Sequence, residues 1–138
     1  MRLILVSHGL FAKELLESAE LIVGKIPGAC AYGLTPEMGP ADLQKKLEVE
    51  LKKSSPEQEV LLALDLLGGT PSNVAVQLLS QFPQIEIVTG INLPMVIEFS
   101  NQQLLGDKLD LNQLLSMGVQ GITNVKEKVA ADDDEDET

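Results

Sequence analysis

Apolar residues fall into short continuous runs and helically spaced sets that alternate along the chain. Residues 2–6 are a continuous apolar run after Arg2, and residues 59–65 are apolar between two acids; such runs are typical of strands buried on both faces. Residues 28–33 and 84–89 predict two further strands. Apolar residues at helical spacing predict five helices, over about 11–24, 40–53, 71–82, 92–103 and 111–117.

The strict alternation of strands and helices predicts a single α/β domain, a doubly wound and mainly parallel sheet with helices on both faces. The two most apolar strands should be central. The fourth strand carries Glu86, and the second is small and bounded by glycine, so both should lie outside. The flavodoxin-like strand order 2-1-3-4 meets these constraints. Residues 121–125, GITNV, predict a fifth, short strand, which follows a helix that we expect to end at Gly118.

Composition and charge narrow the class of protein. The chain has 138 residues, 44% of them hydrophobic, which suits one folded domain. Its formal charge is −11, and six acids form one run at 132–137, so we expect a domain over 1–128 and an acidic, disordered tail over 129–138. With one arginine and no basic stripe, nucleic acid is not an expected partner.

The number of cysteines and the length of the apolar runs indicate the cellular compartment and whether a metal, a cofactor or a membrane segment is expected. The single Cys30 fits a reducing cytoplasm, and no Cys/His cluster predicts a metal, so we expect no metal and no cofactor. Every apolar run is far shorter than the roughly 20 residues that span a bilayer, so no membrane insertion is expected. Residues 1–6 lack the features of a signal peptide and indicate a strand.

Two polar residues stand where the central strands end. His8, the only histidine, follows the first strand, and Asp65 ends the third. The carboxyl ends of neighbouring parallel strands meet at one edge of the sheet, so we expect the two side chains within reach of each other. A carboxylate that accepts a hydrogen bond from one imidazole nitrogen orients the ring and leaves the other nitrogen as a nucleophile. We therefore predict that Asp65 orients a nucleophilic His8.

A glycine-rich turn beside them suits an anion. Gly68 and Gly69 let the backbone approach a ligand, Thr70 predicts an N-cap, and Pro71 suits the first helical position. Free N–H groups at a helix N-terminus favour a phosphoryl group. The predicted phosphoryl-binding residues are, in addition to Gly68, Gly69 and Thr70, those at the first strand end and in the first turn of the helix: Ser7, Gly9 and Ser72.

Several other phosphate and acyl chemistries lack their motifs. The chain has no GxxxxGK[ST] loop for a nucleotide and no GxSxG elbow for a hydrolase. Its one arginine, Arg2, begins the first strand, at the end opposite to His8. A receiver-type phosphoaspartate site would need an acidic cluster near the end of the first strand, and the sequence has none there. The remaining hypothesis is a site that holds a phosphoryl group on His8 without handling a nucleotide.

Three stretches resemble one family: VSHG after the first strand, DLLGGTPSN after the third, and VTGINLPMV before the fourth helix. Over about residues 1–128 the chain is similar to the enzyme IIA domain of the mannose (mannose-fructose-sorbose) family of the bacterial phosphoenolpyruvate-dependent sugar phosphotransferase system. The resemblance implies that His8 is phosphorylated, that Asp65 is its partner, and that Thr70 and Ser7 lie near the phosphoryl group.

The resemblance also implies partners. The phosphocarrier protein HPr would be the donor and an enzyme IIB domain the acceptor, with indirect association to a membrane sugar permease. The family is dimeric, and its short C-terminal strand joins the sheet of the other subunit; GITNV would be that strand. A tryptophan of some members is Leu67 here, and the acidic tail lies outside the family pattern.

Two alternatives stay open from the sequence. The phosphotransfer subunit of dihydroxyacetone kinase is a close relative with a similar first strand and histidine. A non-catalytic regulatory module that binds an anion at the His8 edge is the alternative from a different class.

Overall fold

In a computed structural model, strands and helices alternate along the chain; the model describes residues 1–106 and 108–136. The four strands of this described part are β1 (Arg2–His8), β2 (Cys30–Leu34), β3 (Val60–Leu64) and β4 (Ile85–Val88). Its helices are α1 (Phe11–Val23), α2 (Pro40–Leu51), α3 (Gly69–Leu78), α4 (Leu93–Leu104), α5 (Leu111–Gln120) and α6 (Val125–Asp136).

The strands form one parallel sheet in the order β2-β1-β3-β4, which confirms the predicted fold class and strand order. Val6 on β1 pairs with Leu64 on β3, so the two central strands end almost level. Ser7 pairs with Gly33 on the other side of β1. The last residue of β1, His8, and the residue that directly follows β3, Asp65, therefore lie at the same edge of the sheet.

Each face of the sheet carries its own apolar layer. Leu3 and Leu5 of β1 point to the side covered by α1, α4 and α5, and Ile4 and Val6 point to the side covered by α2 and α3. All five residues of β3 are buried. Because both faces are covered, the central strands can be apolar at every position rather than at alternate ones.

Side chains cap the starts of α4 and α5, but the predicted end of α5 is wrong. The side chains of Asn92 and Asp110 accept hydrogen bonds from the backbone N–H groups of Met95 (3.1 Å) and Gln113 (3.0 Å). Gly118 does not end α5, which continues to Gln120. A Cβ on Gly118 would lie 2.5 Å from Cγ of Met95, so this glycine is where α5 packs closely on α4.

The C-terminal strand is a second correction. Gly121 ends α5, residues 122–124 are neither helix nor strand, and α6 begins at Val125, so GITNV does not form a strand in the single chain. Strand exchange stays a prediction that rests on the family resemblance.

The acidic tail was expected to be disordered from residue 129, but helix α6 continues through residue 136, and residues 137 and 138 lie outside the described part. Every side chain from 121 to 134 is exposed, so over this range α6 buries no face against the domain. The domain limits at 128 and 129 stay a prediction.

A buried carboxylate, Glu50 of α2, ties the amino end of the sheet together. Its Oε1 accepts from a guanidinium nitrogen of Arg2 at 2.7 Å and from the thiol of Cys30 at 3.1 Å, and its Oε2 lies 2.8 Å from Nζ of Lys53. Burial on its own raises the pKa of Glu50, but the ion pair with Lys53 and the hydrogen bonds from Cys30 and Arg2 outweigh it and lower that pKa to about 2. Burial and the bond to Glu50 raise the pKa of the Cys30 thiol to about 12, so this thiol is not a nucleophile.

This cluster predicts a specific acid sensitivity. The folded-state pKa of Glu50 is depressed from an ordinary 4.5 to about 2, so its stabilisation is complete above pH 4.5 and is lost as the pH falls toward 2. Glu50→Gln should therefore lower the free energy of unfolding at neutral pH and make it less dependent on pH between 4.5 and 2. Urea unfolding across a pH series measures both effects, and Glu17→Gln, an exposed change on α1, is the matched control. Equal pH dependence in wild type and Glu50→Gln would contradict this account.

Candidate active site

The site lies at the carboxyl edge of the two central strands. His8 is the last residue of β1, and Asp65 directly follows β3. The Asp65 backbone N–H donates to the Val6 carbonyl at 3.2 Å, which continues the hydrogen-bond ladder between β1 and β3 by one residue. The imidazole Nδ1 of His8 lies 2.8 Å from Oδ2 of Asp65. The structure thus brings together the two residues that the sequence placed at this edge.

Asp65 holds both the backbone and the side chain of His8. Its Oδ2 accepts from the His8 backbone N–H at 2.9 Å as well as facing Nδ1, and its Oδ1 accepts from the backbone N–H of Leu66 at 3.0 Å. These three contacts leave the carboxylate little freedom to rotate. The orientation of the imidazole is therefore fixed relative to the sheet.

The charge of Asp65 decides which imidazole nitrogen is protonated. Burial raises the pKa of Asp65, but the hydrogen bonds from His8, the charge of His8 when its ring is protonated, and the hydrogen bond from the Leu66 N–H outweigh it, so the pKa lies below its ordinary value. Asp65 is thus ionised at neutral pH and accepts hydrogen bonds without donating any. Nδ1 of His8 must then be the donor in this contact, and in the neutral ring Nε2 is the nitrogen that keeps its lone pair.

Nε2 points away from Asp65 and toward the glycine turn. The His8 side chain is 48% exposed, whereas that of Asp65 is 14% exposed. A methyl group in place of the Gly69 hydrogen would lie 3.5 Å from Cε1 and 3.6 Å from Nε2. Gly68 and Gly69 have φ of +88° and +81°, a backbone conformation that disfavours other residues. The accessible nitrogen thus faces backbone that carries no side chain.

Thr70 and Ser72 occupy the first turn of α3, but the predicted capping is wrong. The helix begins at Gly69, Gly68 is the N-cap, and no side chain caps it, because the two left-handed glycines turn the chain into the helix two residues earlier than predicted. Thr70 is half-buried and Ser72 is buried. Both lie on the turn that begins beside the imidazole.

Ser7 and Gly9 flank His8 and have different surroundings. The Ser7 hydroxyl is fully buried, accepts from the Ala12 N–H at 2.7 Å and donates to the His8 carbonyl at 3.0 Å. The hydroxyl therefore holds the start of α1 against the end of β1. Its single hydrogen atom is donated to the His8 carbonyl. Gly9 has φ of +58° and turns the chain away from the sheet.

An exposed apolar rim surrounds the site, and sequence reasoning did not single it out. We use this name for Leu10, Phe11, Leu66 and Leu67, which follow the two central strands and are between 47% and 81% exposed. Turn positions usually carry polar residues, so large apolar side chains directly after both strand ends were the signal for this surface. Exposed apolar side chains thus lie close in the chain to both His8 and Asp65.

Two further structural findings concern metals and membranes. Among the described residues, no three His, Cys, Asp or Glu side chains group closely enough to hold a metal ion. Within the same part of the chain, no helix is both long and apolar enough to cross a bilayer.

The fold and the site define a small α/β domain with one accessible imidazole, oriented by a carboxylate, at the carboxyl edge of its sheet. Residues 2–115 match the family described as the PTS system fructose IIA component. The chain belongs to this family, the IIA components of the sugar phosphotransferase system, which confirms the resemblance seen in the sequence. It is accordingly a phosphotransferase component.

Relatives agree with this assignment. The fructose-specific EIIA component of Bacillus subtilis (strain 168) is 34% identical over 118 residues, which cover 85% of this chain and 81% of that protein. The sorbose-specific EIIA component of Lacticaseibacillus casei is 28% identical over 138 residues, 99% of each chain. Among solved structures, the mannose/sorbose specific IIA subunit from Enterococcus faecalis has a TM-score of 0.77 at 36% identity, covering 89% of this chain and 92% of that chain.

Proposed function

We propose that Nε2 of His8 accepts a phosphoryl group from HPr and passes it to an enzyme IIB domain during coupled sugar uptake and phosphorylation. The observation that carries the proposal is the 2.8 Å contact between Asp65 and Nδ1, which makes Nε2, the nitrogen beside Gly69, the one with the lone pair in the neutral ring. Family membership supports a carrier in a sugar system rather than the dihydroxyacetone branch, since the relatives carry the names of fructose, sorbose and mannose.

The chemistry needs no general base. The Nε2 lone pair forms a bond to phosphorus while the bond between phosphorus and the donor's leaving nitrogen breaks. Nδ1 keeps its proton, so the phosphorylated imidazole ring carries a positive charge. The Asp65 carboxylate, 2.8 Å away, stabilises that charge. In the second transfer the acceptor's nucleophile attacks phosphorus, and the bond from phosphorus to Nε2 breaks.

The glycine turn is the proposed cradle for the phosphoryl oxygens. Gly69 has no side chain beside Nε2, and the first turn of α3 offers backbone N–H groups and the positive end of the helix dipole. Thr70 adds a hydroxyl on this turn. Ser7 acts instead through the backbone, because its hydroxyl donates to the His8 carbonyl.

The apolar rim supports protein partners rather than a small-molecule donor. A small phosphorylated metabolite is strongly polar and gains nothing from four exposed apolar side chains, whereas protein interfaces bury such residues at their centres. HPr and the IIB domain are the proposed occupants in turn, in the cytoplasm, where the IIB domain links the chain to a membrane permease. The homodimer implied by the family is part of the same proposal.

Phosphoenolpyruvate with the general phosphotransferase proteins tests the proposal. The chain should take up one phosphoryl group that is labile to acid and stable to base, and it should lose that group on addition of a IIB domain. A non-catalytic anion-binding module would take up no covalent label. Label that forms without HPr would contradict the proposed donor.

The rim predicts a defect in binding rather than chemistry. Leu67 is 81% exposed, so Leu67→Asp should leave the fold intact. Placing a charge in a buried interface centre typically costs more than 1 kcal/mol, so KM for phosphorylated HPr should rise about tenfold with kcat unchanged. Steady-state transfer kinetics measure both constants.

Leu21→Asp is the matched control for this change. Leu21 lies on α1 and is 88% exposed, so the same substitution is made at a similarly exposed site outside the rim. It should leave KM unchanged. Equal effects of Leu21→Asp and Leu67→Asp would mean that added negative charge, and not the rim, weakens binding.

A further inference from the structure

Gly33 lies inside β2, directly beside the turn that follows His8. Glycine weakens a strand and, within one, often marks a place where another backbone approaches closely. In the parallel register Gly33 pairs with Ser7, and Leu34 pairs with His8. Gly33 is therefore next to the His8 site, although it lies in neither of the loops that follow β1 and β3.

The backbone that approaches Gly33 is that of Gly9. The Gly9 N–H donates to the Leu34 carbonyl at 2.9 Å, which extends the ladder between β1 and β2 by one residue beyond His8. The left-handed φ of Gly9, +58°, then turns its carbonyl back over β2. An ideal Cβ on Gly33 would overlap the Gly9 carbonyl oxygen and lie 3.1 Å from its carbonyl carbon. Any side chain at position 33 must push Gly9 away.

His8 is thus held from both sides. On the β3 side, Asp65 binds its backbone N–H and its Nδ1. On the β2 side, the adjoining Gly9 is held against Gly33 and Leu34. The geometry points to Gly33 as a positioning residue for the phosphoryl acceptor: its missing side chain seats Gly9 and so keeps the His8 imidazole aligned with Asp65 and Gly69. This inference rests on the proposed phosphorylation of His8.

Gly33→Ala tests the inference in a chain with one histidine, whose ring nitrogens give a single pair of ¹⁵N signals. Relieving the overlap requires Gly9 to move by on the order of an ångström, and a misplacement of that size can slow a reaction about 10²-fold. We expect kcat for transfer from phosphorylated HPr to fall about 10- to 100-fold with KM unchanged. The ¹⁵N shifts should move from the Nδ1–H tautomer toward a mixture of tautomers.

Ala31→Gly is the control on the same strand. It puts a glycine into β2 at a half-buried position that pairs with Leu5, far from Gly9, and so weakens the strand without touching the turn. Its kcat and ¹⁵N shifts should match the wild type. A wild-type rate in folded Gly33→Ala, or an equal slowing in Ala31→Gly, would overturn the inference.

A measurement on the wild-type chain decides the matter if Gly33→Ala does not fold. The Gly9 amide should exchange with solvent slowly, because it is bonded to Leu34; rapid exchange would overturn the inference. The proposed function fails separately, by the absence of label on the wild-type chain. In that event, the ¹⁵N shifts of Gly33→Ala and the exchange of Gly9 still show whether Gly33 positions the imidazole.

Discussion

Replacing His8 by alanine should abolish phosphorylation of the chain. The sequence contains one histidine, so no second imidazole can take the group. Of the residues at the site, Asp65 is held by three hydrogen bonds and the Ser7 hydroxyl is buried and bonded, so neither is a substitute nucleophile. Intact-mass measurement after incubation with phosphoenolpyruvate and the general phosphotransferase proteins should show only the unmodified His8→Ala chain.

The fold of His8→Ala should survive, which makes its loss of function interpretable. The side chain is 48% exposed at the end of β1, and the apolar layers lie on either side of Leu3 to Val6. Circular dichroism and thermal unfolding should stay close to the wild type, although Asp65 loses one of its partners. If a folded His8→Ala chain gains the mass of a phosphoryl group, another residue is the acceptor, and the proposal is contradicted.

The sequence was sufficient where a local pattern and the topology agree. Continuous apolar runs identified β1 and β3 as the central strands, and the rule for parallel sheets then placed His8 beside Asp65. Asn92 and Asp110 cap their helices through bonds that span only three residues, so nearby sequence determines them.

The sequence was insufficient where a contact between distant residues decides the outcome. Gly118 would end a helix on local grounds, but its close packing on Met95 makes it an interior position of α5. The direction of the Ser7 hydroxyl could not be predicted, because β1 is buried on both faces and shows no alternation of polar and apolar residues. The role of Gly33 could not be predicted either, because it depends on the carbonyl of Gly9, which lies 24 positions away in the chain and beside Gly33 in the fold.

Replacing Asp65 by asparagine should slow phosphoryl transfer without abolishing it. Nε2 of His8 attacks phosphorus directly and gives no proton to a second group, so Asp65 is needed for orientation and for charge stabilisation only. The corresponding change in a Ser-His-Asp triad costs about 10⁴, where the imidazole must also move a proton. We expect a smaller loss here, on the order of 10²-fold in the rate of transfer from phosphorylated HPr.

The hydrogen bonds of Asp65 explain why an isosteric amide cannot replace it. Three donors face the carboxylate: the His8 backbone N–H and Nδ1 at Oδ2, and the Leu66 N–H at Oδ1. If the amide oxygen of the Asp65→Asn side chain faces His8, its NH₂ group meets the Leu66 N–H, donor against donor. If the amide turns over, its NH₂ group meets the His8 backbone N–H and donates to Nδ1, which moves the ring proton to Nε2 and blocks the nucleophile.

Single-turnover transfer and imidazole ¹⁵N shifts separate these effects in Asp65→Asn. The rate should fall, and the shifts should show the Nε2–H tautomer, which a purely structural role for Asp65 would not produce. Asp42→Asn is the matched control, because Asp42 also accepts a backbone N–H, from Gly39 at 2.9 Å, but at the start of α2 and away from His8. Asp42→Asn should transfer at the wild-type rate with unchanged shifts. Wild-type rates in Asp65→Asn would mean that the carboxylate only ties β3 to β1, and that the Nδ1–H tautomer is fixed by something other than the charge of Asp65.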